Sequence, residues 1–190
     1  MASPDKTPDT RTRILDATIA VLARVGLSRL TLEDVALEAG VSRQTLYRYF
    51  GSRDALIEAT VLREEETFIE QMVAASNRHT DFRPALEAAI AQALRSARAH
   101  PLLDRLLATE PEALLPFLTL GRGPVLSAAR PVVRALLVDR LDHLTERELT
   151  RVADAASRLI VSYAISPPEE DIDDVAAGLA DLIANGVKRT

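Results

Sequence analysis

TLEDVALEAGVSRQTLYRYFGSRD, residues 31–54, reads as a helix, a tight turn, a short second helix and the start of a third. Thr31 is placed to cap the first helix, and Asp34 three positions on completes a capping-box pattern. Val35, Ala36 and Ala39 form a small apolar stripe suited to close helix packing. Gly40 follows the last periodic residue, where a helix C-terminus favours a left-handed backbone. Ser42 is a natural N-cap for the next helix. On that helix Leu46 and Phe50 lie four apart, share one face and point inward. Gln44, Thr45 and Arg48 lie largely on the other side, flanked by Arg43 and Tyr47. Ser52 then caps a third start, followed by Ala55, Leu56 and Ile57.

The layout is that of a DNA-reading helix-turn-helix, with its short second helix offered to the major groove. Arginine can grip guanine bidentately and glutamine can do the same for adenine. Hydroxyls of Ser42, Thr45 and the tyrosines suit phosphate oxygens, which fix register without reading sequence. On this pattern alone an ordinary helical hairpin with a polar outer face remains open.

The longer string AGVSRQTLYRYFGSRDALI resembles the N-terminal domain of the TetR family of bacterial transcription regulators. So does the upstream RTRILDATIAVLARVGLSRLTLEDVALEAG, with its amphipathic first helix. The resemblance spans roughly residues 11–58, and caps, turn, core residues and the Leu46-Tyr47-x-x-Phe50 signature coincide in register. It implies that Arg43 and Gln44 read base edges and that Thr45, Tyr47 and Tyr49 touch phosphates, Tyr47 sometimes a base. Thr31 matches a phosphate contact at the start of the second helix. Arg53 stands where the family often has lysine. Glu33 departs from members that carry a basic residue there, because a carboxylate repels phosphate; it is left off the contact set. The implied architecture is all-α: a three-helix DNA-binding domain over 11–55 after a flexible tail at 1–10, then a helical effector-binding and dimerisation domain over 56–190.

Composition sets the outer bounds. The chain has 190 residues and no cysteine, which removes disulfides, thiolate chemistry and cysteine-based zinc sites. No run of 18 uncharged apolar residues is present, so no membrane span is expected. The N-terminus lacks an apolar signal segment, and a cytoplasmic location is the simplest expectation. The net charge of −5 needs an argument in a DNA binder. Residues 1–55 hold eight Lys/Arg against seven Asp/Glu, whereas residues 56–190 hold fifteen against twenty-one. The acidity therefore belongs to the C-terminal part. Contacts are screened beyond about 8–10 Å in physiological salt. A local patch of Arg11, Arg13, Arg43, Arg48 and Arg53 is then what DNA meets, and the acidic remainder disfavours nonspecific binding.

Beyond Arg53 the pattern is helical throughout. A long helix is expected over 53–76, then helices over 84–99, 102–109, from Pro111 toward Gly121, 125–140 with Pro131 inside it, 145–165 and 171–185. Thr145 with Glu148 makes a second capping box. The last two helices carry broad apolar faces. Val152, Ala156, Leu159, Ile160 and Tyr163 line one; Val175, Leu179, Leu182 and Ile183 line the other. The resemblance implies that these faces pair with their copies in a homodimer. A dimer also suits two DNA half-sites about one helical turn apart.

The middle helices, by the same resemblance, hold a small-molecule effector. Phe68, Met72, Leu103, Leu107 and Phe117 are its candidate lining, and Arg122 a candidate anchor for a carboxylate. With aromatics at 4% and no tryptophan, the lining suits an aliphatic effector better than a flat polyaromatic one. Catalysis is not expected. Converging titratable groups are lacking; His79, His100 and His143 show no ligand spacing, and Glu64-Glu65-Glu66 reads as a solvated charge run. No catalytic residue, metal or cofactor is expected. The alternative is a helical homodimeric protein-binding module without sequence-specific DNA readout.

Overall fold

The computed structural model describes residues 9–100, 102–119, 124–138, 141 and 144–187. Among these the chain forms ten helices and no strand. The N-terminal group is α1 (Thr10–Val25), α2 (Leu32–Ala39) and α3 (Arg43–Phe50). A long α4 (Arg53–Ser76) leads out of it to α5 (Phe82–Ala99), α6 (Leu103–Thr109), α7 (Pro111–Thr119), α8 (Pro124–Val138), α9 (Glu146–Ile165) and α10 (Ile172–Gly186). α5 begins two residues ahead of Pro84, which costs nothing because the first N–H groups of a helix lack intrahelical partners anyway. α8 runs through Pro131, with Leu126, Val133 and Leu137 buried along it. Most of the expected 1–10 tail lies outside the described residues.

Local chemistry fixes the helix ends. Thr31, Ser42, Ser52 and Thr145 each accept a backbone N–H from the residue three ahead, an arrangement worth about 1 kcal/mol per cap. At Thr145 the box is reciprocal, with the Glu148 carboxylate accepting from Thr145 N–H at 2.8 Å. Gly40 ends α2 at φ 63, ψ 38. Val41 N–H bonds Ala36 O at 3.0 Å and Gly40 N–H bonds Leu37 O at 3.2 Å, the paired bonds of a Schellman ending. This turn sets the angle at which α3 leaves α2.

Two apolar clusters hold the helices. One joins α1–α3 and the start of α4 through Ile14, Leu15, Val35, Leu46 and Leu56, and it also takes in Leu102, Leu106 and Leu114 from around α6 and α7. The N-terminal core is thus completed by side chains more than forty positions further along. The other cluster centres on α5, against which α4, α9 and α10 pack.

That packing corrects part of the expected dimer face. Ala156, Ile160, Val175, Leu179 and Ile183 are buried inside the subunit's own second core. Val152, Leu159 and Tyr163 are half-buried at its edge, and Leu182 is 61% exposed. A stripe at 3.6-residue spacing marks an apolar face but does not say which neighbour covers it. Here α5 covers the inner face of α10, and α8 together with α5 covers that of α9. Gly178, beside Leu182 on α10, has open space around the position a Cβ would occupy.

Candidate nucleic-acid interface and ligand cavity

α3 buries one residue, Leu46, and turns most of the rest outward. Arg43, Gln44, Tyr47, Arg48 and Tyr49 are exposed, with Tyr47 at 41% and Tyr49 at 42%. Tyr47 lies one turn beyond Arg43, whose guanidinium sits 5.4 Å from the Tyr47 ring centre and 3.3 Å from its hydroxyl. Ser42 Oγ and Thr45 Oγ1 are 2.9 Å apart, at the α3 N-terminus. Thr31 Oγ1 accepts from Asp34 N–H and donates to the Asp34 carboxylate at 2.6 Å. Arginine, glutamine, hydroxyls and phenols therefore crowd the outward surface of one short helix, the set needed to read base edges and grip phosphates.

Three charged residues have duties the sequence hid. Glu33 on α2 forms an ion pair with Arg43, so the leading base-reading candidate is partnered across the helix-turn-helix by the very residue set aside as a departure. The Tyr47 hydroxyl first, and Glu33 second, favour the charged form of Arg43. Arg53 also braces the fold: Nε donates to Leu30 O at 2.9 Å and Nη2 donates to Leu27 O, while Nη1 lies 3.3 Å from the exposed Asp54 carboxylate. Arg13 donates to Ala39 O at 2.6 Å. The expected basic patch thus includes two arginines that also hold backbone carbonyls. Arg11 and Arg48 instead lie over the rings of Phe50 and Tyr49, each at 5.8 Å.

Beneath this unit, between α4, α5, α6, α8 and α9, lies a cavity of about 190 Å³ with almost wholly apolar walls. Phe68, Met72 and Leu103 line it as expected, together with Leu106, Ile160 and Ala164. Leu107 does not: it packs against the N-terminal core instead. The side chain of Phe117 and all of Arg122 lie outside the described residues. A more polar groove between α4 and α5 adjoins the cavity, and the two share Glu64, Phe68 and His100. The Phe68 and His100 rings stand 5.7 Å apart.

The cavity also holds two acidic residues taken from sequence as part of a solvated run. Glu64 sits 3.3 Å from His100 Nε2, and this contact, followed by Arg63, holds its carboxyl below the usual range. Glu65 is 6% exposed, and neither carboxylate oxygen has a hydrogen-bond partner. Burial, helped by the charge of Glu66, pushes it up to about 8. Helical spacing was the signal: 61, 65, 68, 69 and 72 share one stripe, and all but Glu65 are apolar.

A direct link joins the cavity to the helix-turn-helix. Glu110, between α6 and α7, accepts from Leu27 N–H at 3.0 Å, from Ser28 N–H at 2.6 Å and from the Ser28 hydroxyl. These bonds, the hydroxyl foremost, hold its carboxyl below the usual range. Gly26 makes the approach possible: at φ 84, a Cβ there would lie 1.9 Å from Glu110 Oε1. The turn of residues 26–30 is therefore gripped from α4 by Arg53 and from the α6–α7 corner by Glu110. Leu102, Leu103, Leu106 and Leu114, on either side of Glu110, line the cavity.

Among the described residues, no helix is long and apolar enough to cross a membrane. The comparisons with known proteins agree on one family. Residues 14–60 match the model of bacterial regulatory proteins of the tetR family, and residues 81–185 match the C-terminal domain of the bacterial tetracycline repressor. The transcriptional regulator AlkX of Mycobacterium tuberculosis is 32% identical over 182 residues, covering 94% of this chain and 85% of the relative. The regulator BetI 2 of Chromohalobacter salexigens is 31% identical over 176 residues, covering 93% and 74%. Among solved structures, the repressor AlkX of a Dietzia strain, implicated in biodegradation of n-alkanes, superposes with a TM-score of 0.75 at 33% identity, covering 92% of this chain and 96% of that one. The outward-facing α3, the all-helical body behind it and these matches together identify the chain as a member of the TetR family, DNA-binding transcription regulators rather than enzymes.

Proposed function

We propose that the protein is a cytoplasmic homodimeric repressor that binds a palindromic operator through α3 and is released by an aliphatic effector seated in the α4–α9 cavity. The observation that carries this reading is the adjacency of the apolar cavity to Glu110 and the 26–30 turn. A molecule that spreads α6 from α4 displaces the carboxylate gripping the N-terminal unit, and the spacing of two recognition helices in a dimer then changes. An effector shifts this equilibrium only to the extent that it prefers the DNA-incompetent state. The AlkX repressor's link to n-alkane biodegradation and the near absence of polar wall both support an aliphatic occupant.

Arg43 and Gln44 read base edges in this account, and Ser42, Thr45, Tyr47, Tyr49 and Thr31 grip phosphates. The dimer face is proposed along the outer side of α9 and α10, with Val152, Leu159, Tyr163 and Leu182. Selection of binding sequences from random duplex DNA, followed by titration of the recovered duplex, tests the reading. The expected product is an inverted repeat. Arg43→Ala and Gln44→Ala each cost about 1–3 kcal/mol of discrimination at one base pair per half-site without dissociating the dimer. Recovery of no preferred sequence, or variants that bind it as tightly as wild type, contradicts the reading.

A further inference from the structure

The Glu65 carboxyl makes no hydrogen bond that would hold the fold together. Its two oxygens are buried without partners, its helical neighbours on the stripe are apolar, and a leucine would fill the position with less penalty. A carboxyl kept in that setting needs something absent from the subunit itself. The other residue of the cavity wall with an unpartnered buried atom is His100, through Nδ1, on a ring whose Nε2 points at Glu64.

We propose that Glu65 is the polar anchor of this cavity and that its occupant is an aliphatic alcohol, the chain lying among the leucines and the hydroxyl bonded to the Glu65 carboxyl. The proposal rests on the reading of this cavity as the effector site. A neutral carboxyl offers one donor and one acceptor. A hydroxyl answers both, an alkane neither, and a ketone or ester only the donor.

The charges around the site decide against ionic head groups. On α4, Glu64 is ionised and paired with His100 and Arg63, and Glu66 is exposed. Arg63 reaches back to Asp16 of α1. The described lining from α1, α6, α8 and α9 is apolar, α5 adds alanines with His100 just past its end, and Arg130 of α8 is paired with Asp154 of α9. An alkanoate would therefore meet carboxyl groups with no unpaired arginine beside them among the described residues. An alkylammonium would need Glu65 ionised and both ions desolvated together, with Phe68 the one phenyl ring among the described lining residues.

Calorimetric titration of the full-length protein at neutral pH with n-octanol, octanoate, octylamine and n-octane tests this. The expected order puts n-octanol about tenfold or more ahead of both ionic probes, the scale of one satisfied buried hydrogen bond. Glu65→Leu loses about tenfold for n-octanol while keeping n-octane, and Glu65→Gln, which still offers a donor and an acceptor, keeps most n-octanol affinity. Circular dichroism confirms folding of both variants, and either one alone is decisive against the conserved n-octane affinity. Tighter binding of octanoate or octylamine overturns the proposal. An n-octanol to n-octane ratio that ignores Glu65→Leu overturns it too, while leaving the cavity as the effector site. Failure of all four probes to bind overturns the effector-site reading and the proposal with it.

Discussion

At the scale of single residues, the two acidic positions that look least functional in the sequence have the clearest physical consequences. Glu33 pairs with Arg43 in the free protein, so DNA must compete for that guanidinium and also approach a carboxylate. Replacing Glu33 with Gln should raise affinity for nonspecific duplex severalfold by removing a charge that repels phosphate, measured by anisotropy across a salt series; unchanged affinity would mean that Glu33 does not oppose DNA binding. Glu65 makes a prediction in pH. Its folded value of about 8 stands above its ordinary 4.5, so between those values the native state binds the proton more tightly than the unfolded chain. Stability is therefore highest near and below 4.5 as far as this group is concerned, falls as pH rises through the window, and levels off above 8. The midpoint of thermal unfolding should drop by on the order of 5–10 °C more in wild type than in Glu65→Gln over that range. Parallel curves would mean that Glu65 is not buried. Neither duty was readable as such. Glu33 sits on a different helix from its partner, so no local spacing connects them, whereas the burial of Glu65 was implicit in its place on the Val61–Phe68–Met72 stripe and was masked by the acidic neighbours at 64 and 66.

At the scale of elements, the helix-turn-helix was legible almost to the residue because its determinants are local: caps at Thr31, Ser42 and Ser52, the left-handed Gly40, and Leu46 pointing inward. The later helices were legible in existence and less so in purpose. α9 and α10 announce apolar faces, but the decision between an inner and an outer partner belongs to α8 with α5 for α9, and for α10 to α5, about eighty positions earlier in the chain. The resulting division is testable. Leu182→Asp charges the exposed side of α10 and should shift the protein toward monomer, weakening self-association by about tenfold or more, with the helical spectrum intact. Leu179→Asp, one turn back and buried, should instead unfold the subunit. If sedimentation shows a full-strength dimer for Leu182→Asp, the dimer face lies elsewhere. Arg53 is a second case in which part of the purpose escaped the sequence: a basic residue near the DNA unit suggests phosphate, and its guanidinium also holds two carbonyls of the 26–30 turn.

At the scale of the whole molecule, the two apolar clusters meet at the cavity, which side chains of both line. Leu102, Leu106 and Leu114 complete the N-terminal core and line the α6–α7 side of the cavity at once, and Glu110, between Leu106 and Leu114, closes on Leu27 and Ser28. Such shared side chains make cavity occupancy and N-terminal placement parts of one packing problem, and packed interiors switch between arrangements rather than deform smoothly. None of this follows from periodicity, because the Glu110–Ser28 contact spans 82 positions and Gly26 shows its reason only when the carboxylate is seen above it. The most direct measurement is the affinity of the full-length protein for its selected duplex with and without whichever of n-octane and n-octanol binds the cavity, in wild type and in Glu110→Ala. Saturating ligand should weaken wild-type DNA binding by about 5–150-fold, with duplex weakening ligand binding by the same factor, and Glu110→Ala should bind both partners while losing most of that coupling. Equal DNA affinity with the cavity filled and empty would contradict the account.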